Sequence, residues 1–195
     1  TALGMGALAV SVGAGLPVAA ATGDLRRARN LSETLFGELG TRIGGIELEV
    51  EGEEHLWSSR PAVFVFNHQS AIEPLLLCKL LRRDFVGIAK AELKGSVLRP
   101  AFDYAGAVYI ERFDKKKAVA TLKPVVETLQ DGTSVIIAPE GTRSPTPYPG
   151  QFKKGAFHIA RQAGVVPTAF YRHFEDLDAL GLTLIEDTFR SLRAI

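Results

Sequence analysis

The sequence predicts an α/β fold in which a largely parallel sheet is flanked by helices. Two observations support this prediction. Short apolar runs typical of buried strands alternate along the chain with segments of helical periodicity. Polar residues that could carry chemistry follow several of the apolar runs, where the carboxyl ends of parallel strands gather. A chain of 195 residues is long enough to bury a core and is ordinarily one domain.

The first half of the chain contains two predicted helices and three predicted strands. Residues 30–40 are predicted to form a short helix, with Ser32 and Glu33 supplying a cap and a first-turn charge. Ile46-Glu47-Leu48-Glu49-Val50 alternates strictly, which predicts a half-buried strand. The continuous apolar runs at 62–66 and 85–89 predict buried strands, and a helix is predicted between them at 74–81.

The second half continues the alternation. Strands are predicted at 107–110 and 134–138, because both are short apolar runs. Between them, residues 115–130 carry apolar side chains at helical spacing, and Asp131-Gly132 is a helix stop. A last helix is predicted at 152–163, ending at Gly164.

The N-terminal segment is apolar and is followed by basic residues. Residues 1–22 contain no charge and nearly reach the length of a membrane-spanning helix, about 20 residues. Arg26, Arg27 and Arg29 follow, which indicates the cytoplasmic side of a membrane. A buried hairpin is the alternative, and a cleaved signal peptide fits less well because the basic residues come after the apolar run. We therefore predict that residues 1–40 are a membrane-associated helical segment.

Since the first methionine is Met5, we expect the chain to be a fragment of a longer product.

The composition of the chain limits the kinds of partner and bonding that can be expected. The net charge of +1 gives no whole-chain attraction to nucleic acid or to anionic lipid, so charge must be considered locally. Cys78 is the single cysteine, which excludes an internal disulfide. It lies in an apolar run, where we expect a buried, inert thiol. The spacing of His and Cys offers no metal site.

His68 and Glu73 are the strongest candidates for catalysis. The histidine follows a predicted strand, and the carboxylate comes five positions later, at the start of a predicted helix. In such a turn the carboxylate can fix the imidazole tautomer, which leaves the other ring nitrogen free to take a proton from an alcohol. A structural His–Glu pair is the alternative interpretation.

Further candidate residues fall after other predicted strands. Glu140, Gly141, Thr142 and Arg143 follow the fourth buried strand, and Arg112 follows the strand at 107–110. Lys153 and Lys154 stand at the start of the last predicted helix, whose amide groups also favour anions. Arginine binds phosphate in a bidentate way, so these clusters suit an anionic substrate. The alternative is a set of solvated surface charges.

These blocks resemble the four-block signature of the glycerolipid acyltransferase family, which includes the lysophosphatidic acid acyltransferases. His68 and Glu73 match the first block, residues 106–112 the second, residues 140–143 the third, and 165–167 the fourth. The family usually has aspartate where this chain has Glu73 and Glu111. The extra methylene displaces the Glu73 carboxylate by about 1.5 Å, so it either tunes His68 less well or the backbone compensates.

The resemblance implies acyl transfer by residues 41–167. In that interpretation His68 deprotonates a hydroxyl of lysophosphatidic acid or a related lysophospholipid, and acyl-CoA or acyl carrier protein is the co-substrate. Arg112 and Arg143, with Lys153, would hold the glycerol phosphate, Glu140 would order the site, and Gly141 would shape its turn. The resemblance implies no metal and no cofactor. The expected partners are these substrates and a membrane, with phospholipid biosynthesis as the process.

The C-terminal tail, residues 168–195, departs from the family pattern. It resembles a partial helix-turn-helix of TetR-type regulators, with Tyr171 and Arg172 facing DNA phosphates. We interpret the overlap as a fusion-like junction; a chance resemblance and a divergent helix packed on the sheet are the alternatives. Because the tail has no core of its own, nucleic acid is not an expected partner. The alternative functions are a catalytically weak scaffold and a DNA-binding fusion.

Overall fold

The computed structural model describes residues 2–110, 115–146 and 148–165. Within them the α/β prediction is confirmed. Four strands form one sheet, namely β1 (Val63–Val65), β2 (Phe85–Lys90), β3 (Val108–Ile110) and β4 (Ser134–Ile137). Their order in the sheet is β1-β4-β2-β3, and every pairing is parallel. The carboxyl ends of all four strands therefore meet at one edge.

Seven α-helices surround the sheet in the described part of the chain, together with a 3₁₀ helix at Ala91–Gly95. They are α1 (Ala2–Thr22), α2 (Leu25–Ile43), α3 (His55–Ser58), α4 (Glu73–Leu81), α5 (Arg99–Tyr104), α6 (Lys115–Gln130) and α7 (Gly155–Ala163). The short elements α3, α5 and the 3₁₀ helix were not predicted.

The core lies between the sheet and helices α6 and α7. Its buried side chains are aliphatic and come from β2, β4, α6 and α7. The members are Val86, Val125, Leu129, Val135, Ile137, Ala156 and Ile159. Since strands β2 and β4 are central, their apolar runs are covered on both faces, as expected for a parallel sheet.

Helices α1 and α2 form an antiparallel hairpin that packs on α4. Asp24 caps α2, its side chain accepting from the N–H of Arg27. The hairpin is closely packed, because a methyl group at Gly15 would lie 2.2 Å from Ser32 Oγ. Gly37 likewise allows α2 to pack closely on α4, because a methyl group at Gly37 would lie 2.3 Å from the backbone nitrogen of Lys79.

Helix α1 has the length and composition of a membrane-spanning helix. Gly4–Thr22 is apolar, and only 17% of its most apolar window is buried by the rest of the protein. Large apolar side chains on it are more than half exposed, among them Met5, Val10 and Leu16. The apolar N-terminal segment is thus helical, and its outer surface has no protein cover in the described structure.

Three sequence predictions about these elements were wrong. Residues 46–50 form no strand, since Leu48 and Val50 are exposed and no described strand pairs with them. Ser32 is not a cap, because α2 begins earlier, at Leu25, which places Ser32 inside the helix. The last helix begins at Gly155 rather than at 152, so Lys153 and Lys154 precede it.

Candidate active site

His68 lies just beyond the carboxyl end of β1, where the chain turns into α4. Its imidazole Nδ1 is hydrogen-bonded to Glu73 Oε2. The His68 side chain is 30% exposed, whereas that of Glu73 is only 13% exposed. The predicted pair is therefore present, and since Nδ1 is engaged by the carboxylate, Nε2 is the nitrogen left for proton transfer.

Glu73 binds the turn as well as the histidine ring. Its Oε1 accepts from the backbone N–H groups of Gln69 and Ser70, each at 2.5 Å. Burial by itself raises the pKa of the Glu73 carboxyl, but the hydrogen bonds from His68, Ser70 and Gln69 outweigh it, and the pKa is lowered. The carboxyl is therefore an anion at neutral pH, able to stabilise a positive charge on the imidazole.

Glu140, which follows the neighbouring strand β4, forms a hydrogen bond with the main chain of His68. Its Oε2 accepts from the backbone N–H of His68 at 2.9 Å, and the residue is only 4% exposed. Ser144 provides a second hydrogen bond between the same two loops, because its N–H donates to the His68 carbonyl at 2.7 Å. The loops after β1 and β4 are thus joined at His68. In the described part of the chain, Glu140 Oε1 has no hydrogen-bond partner.

Gly141 and Lys153 lie against each other on the loop after β4. Gly141 has φ +77°, a left-handed conformation that favours glycine. A methyl group there would lie 2.7 Å from Lys153 Nζ, so the ammonium group packs over the glycine. The Lys153 N–H donates to the Pro139 carbonyl at 2.9 Å, which ties the residue to the end of β4. A positive charge therefore stands beside the Glu140 loop.

The remaining predicted site residues divide into two groups. Thr142 and Arg143 are exposed on the loop after β4, on the sheet edge that carries His68. Arg112 lies outside the described residues, as do Glu111, Val166, Pro167 and the tail at 168–195. Val165, the described member of the fourth block, packs against the core. The structure thus brings the first and third blocks together.

An apolar cavity of about 270 Å³ lies beside the His68 turn. Helices α1, α2, α4 and α5 enclose it, and Pro74, the residue next to Glu73, forms part of its wall. Phe36, Leu98 and Phe102 are among its apolar lining residues. The cavity was not predicted, since its walls come from four separate helices.

The acidic and thiol side chains near this site are engaged or partly buried. Among the residues that the structure describes, no three His, Cys, Asp or Glu side chains are grouped so that they could hold a metal ion. Glu73 and Glu140 are already engaged by His68 and by backbone N–H groups. Cys78 is partly buried, and desolvation raises the pKa of its thiol, which disfavours the thiolate.

Comparison with known proteins identifies the class. The pattern that defines the acyltransferase family matches residues 47–171, which is more than half of the chain. This range contains the His68–Glu73 pair and the Glu140 loop. The chain belongs to the acyltransferase family.

Several curated relatives share one activity in their names. A chloroplastic 1-acyl-sn-glycerol-3-phosphate acyltransferase of Arabidopsis thaliana is 40% identical over 124 residues, covering 61% of this chain and 34% of the relative. The human 1-acyl-sn-glycerol-3-phosphate acyltransferase alpha is 40% identical over 125 residues, covering 62% and 44%. A putative enzyme of the same name from Caenorhabditis elegans is 36% identical, covering 66% and 51%. The chain thus spans about a third to a half of these relatives' lengths.

A solved structure has the same fold. The crystal structure of the 1-acyl-sn-glycerophosphate acyltransferase PlsC from Thermotoga maritima superposes with a TM-score of 0.63 at 29% sequence identity. The match covers 78% of this chain and 62% of the PlsC chain.

Three main-chain N–H groups of the site could not be found by sequence reasoning. The backbone N–H groups of Gln69 and Ser70 bind Glu73, and the N–H of Ser144 binds His68. Main-chain groups leave no trace in residue identity. For Gln69 and Ser70, the signal in the sequence is the spacing of four residues between His68 and Glu73. That spacing is the length of the turn that presents their N–H groups.

Proposed function

We propose that this protein transfers a fatty acyl group from an acyl thioester to the free hydroxyl of lysophosphatidic acid or a related lysophospholipid, in phospholipid biosynthesis. The observation that carries the proposal is the hydrogen bond between Glu73 and the Nδ1 of His68, just beyond the end of strand β1. The names of the curated relatives, which specify 1-acyl-sn-glycerol-3-phosphate as acceptor, support the same reaction.

His68 acts as the general base in this mechanism. Its Nε2 takes the proton from the acceptor hydroxyl while the oxygen attacks the thioester carbonyl carbon. The new C–O bond forms, the C–S bond breaks, and the leaving thiolate receives the proton from the imidazolium. Glu73 stabilises that imidazolium because its carboxyl is ionised. The nucleophile belongs to the substrate, so no nucleophilic side chain is required.

The phosphate of the acceptor binds at the loop after β4. Arg143 and Lys153 supply positive charge there, and the amide groups at the start of α7 add partial positive charge. Arg112 completes the anion site in this proposal, and Thr142 adds a hydroxyl. Glu140 positions His68 through its backbone N–H, and Gly141 allows Lys153 to approach. The co-substrate is acyl-CoA or acyl carrier protein.

The acyl chain occupies the apolar cavity beside Pro74. This assignment rests on the apolar lining and on the position of Pro74 next to Glu73. A site for a flexible hydrocarbon needs apolar walls with few polar groups, and the cavity has that character. Its volume of about 270 Å³ is slightly below the usual range of about 300–1,000 Å³ for sites of drug-sized ligands.

The protein works at a membrane, on its cytoplasmic face. The exposed apolar side chains of α1 support this, and so does the chemistry of the lipid acceptor. Because α1 packs along α2, we place the exposed side of α1 in the lipid rather than the whole helix across it. Of the basic residues that follow α1, Arg27 is exposed, whereas Arg26 is hydrogen-bonded to Asp84 at 2.6 Å.

The test is acyl-CoA-dependent conversion of lysophosphatidic acid to phosphatidic acid by the detergent-solubilised protein. We expect His68→Ala to lower kcat by roughly 100-fold or more, the usual contribution of a general base. His55→Ala is the matched control, since His55 is 80% exposed and lies before β1. Full activity in His68→Ala would refute the mechanism. A wild type that is inactive with both acyl-CoA and acyl carrier protein would refute the proposed reaction.

A further inference from the structure

The backbone of His68 is fixed on both sides, and its ring is fixed at one atom. The N–H of His68 donates to Glu140 Oε2 at 2.9 Å, and its carbonyl accepts from the N–H of Ser144 at 2.7 Å. At the ring, Nδ1 is hydrogen-bonded to Glu73 Oε2. These contacts determine where the side chain begins and where one of its nitrogens lies.

The same hydrogen bonds leave the plane of the imidazole free to tilt. The second side-chain torsion of histidine joins an sp³ carbon to a flat ring, and the energy wells of such torsions are broad. A hydrogen bond at Nδ1 restrains one ring atom, so the ring can still turn about that contact. Turning moves Nε2, and a general base has to lie within about 2.6–3.2 Å of the group that gives up the proton. A further contact with the ring therefore affects proton transfer directly.

The aromatic ring of Phe66 makes that further contact. The ring centroids of Phe66 and His68 are 5.8 Å apart, and the two planes are inclined by 72°, which is a T-shaped arrangement. Aromatic pairs favour this geometry at centroid separations of about 4.5–7 Å. Phe66 directly follows β1, and residues two apart in an extended chain place their side chains on the same side. The phenylalanine ring thus lies beside the imidazole at the end of β1.

Packing of the core does not account for Phe66. Among the residues that the structure describes, those that form the core or pack against it do not include Phe66, and its side chain is only partly buried. Its ring also does not line the apolar cavity as the structure describes it. Within the described part of the chain, the imidazole of His68 is the aromatic partner of Phe66.

We propose that Phe66 is a positioning residue whose ring holds the imidazole of His68 at the tilt that directs Nε2 toward the acceptor hydroxyl. This inference rests on the proposed function, since it takes His68 to be the general base. Phe66 acts through His68 and makes no contact with the reacting atoms. Its loss therefore lowers kcat, whereas KM stays the same because the substrates are bound by other groups.

Steady-state kinetics of the full chain in detergent measure this contribution. Phe66→Leu keeps an apolar side chain but removes the ring, and we expect kcat for phosphatidic acid formation to fall by about three- to tenfold, with KM unchanged. Phe66→Tyr keeps the ring and should retain the wild-type kcat. Phe64→Leu is the matched control, because it makes the same change two residues earlier on β1, where the ring centroid lies 5.2 Å from the Arg60 guanidinium. Thermal melts check that each variant is folded.

Nuclear magnetic resonance of the histidine rings tests the contact without catalysis. The chain has four histidines, so the His68 signals of histidine-labelled protein can be assigned with single-histidine variants. A neighbouring aromatic ring shifts the resonances of the imidazole C–H protons. We therefore expect the His68 signals to move in Phe66→Leu and to stay in place in Phe64→Leu.

Three results would overturn the inference. They are unmoved His68 signals in Phe66→Leu, a wild-type kcat in the same variant, and an equal loss of kcat in Phe66→Leu and Phe66→Tyr. Failure of the proposed function has a different signature, because the wild type would then form no phosphatidic acid while the His68 signals still shift in Phe66→Leu.

Discussion

Replacing Glu33 by glutamine should change how the stability of the protein depends on pH. Burial raises the pKa of Glu33 from its ordinary value of 4.5 to about 9 in the folded protein. Between these two pH values the folded state binds a proton that the unfolded state lacks, so stability falls as the pH rises. At pH 7.5 the three pH units above 4.5 correspond to a cost on the order of 4 kcal/mol, at about 1.36 kcal/mol per unit. At pH 5.5 the cost is only about 1 kcal/mol.

Glutamine at position 33 does not titrate and therefore avoids this cost. The difference between Glu33→Gln and wild type should grow by about 3 kcal/mol between pH 5.5 and pH 7.5. For a chain of this size that is a relative gain in Tm of roughly 5–10 °C, measurable by differential scanning fluorimetry. Glu38→Gln is the control, because the hydrogen bond from Lys79 lowers the pKa of Glu38 and its loss should destabilise at neutral pH. Parallel Tm curves for wild type and Glu33→Gln would refute the reasoning.

Three further predictions concern the site and the membrane. Glu73→Gln should lower kcat by at least roughly 100-fold with little change in KM, because the anion beside His68 is lost; an unchanged kcat in the phosphatidic acid assay would contradict this. Gly141→Ala should lower stability by about 1–2 kcal/mol, since φ is positive there, and should raise KM for the lysophospholipid by displacing Lys153; thermal melts and steady-state kinetics check both. Val10→Glu should weaken flotation with liposomes while leaving the melting temperature in detergent unchanged, and equal flotation would count against lipid contact by α1.

The sheet could be predicted because its strands are continuous apolar runs. β2 and β4 are covered on both faces, so nearly every position is apolar, and their limits were found within one or two residues. The segment at 46–50 shows the limit of that reasoning. Its alternation matches a half-buried strand, but a strand also needs a neighbour, and pairing is decided by the rest of the fold.

The contact between His68 and Glu73 could be predicted, whereas the burial of Glu33 could not. His68 and Glu73 are close in sequence, and a turn of four intervening residues suffices to bring them together. From the sequence, Glu33 is expected to be a surface charge in the first turn of a helix that starts at residue 30. Asp24 instead starts α2 earlier, which places Glu33 deep in the helix and facing α4 and α5. The burial of Glu33 follows from the packing of α2 against the rest of the fold, which the local sequence pattern does not show.

The spacing between His68 and Glu73 serves two contacts at once. One carboxylate oxygen binds the imidazole, and the other binds the N–H groups of Gln69 and Ser70 inside the turn. The turn is thus closed by the same side chain that orients the ring. Because the side chain is anchored at the turn, the extra methylene of glutamate is taken up without loss of the contact to Nδ1. The length of the Glu73 side chain and its hydrogen bonds to the turn together explain how glutamate can occupy a position where the family usually has aspartate.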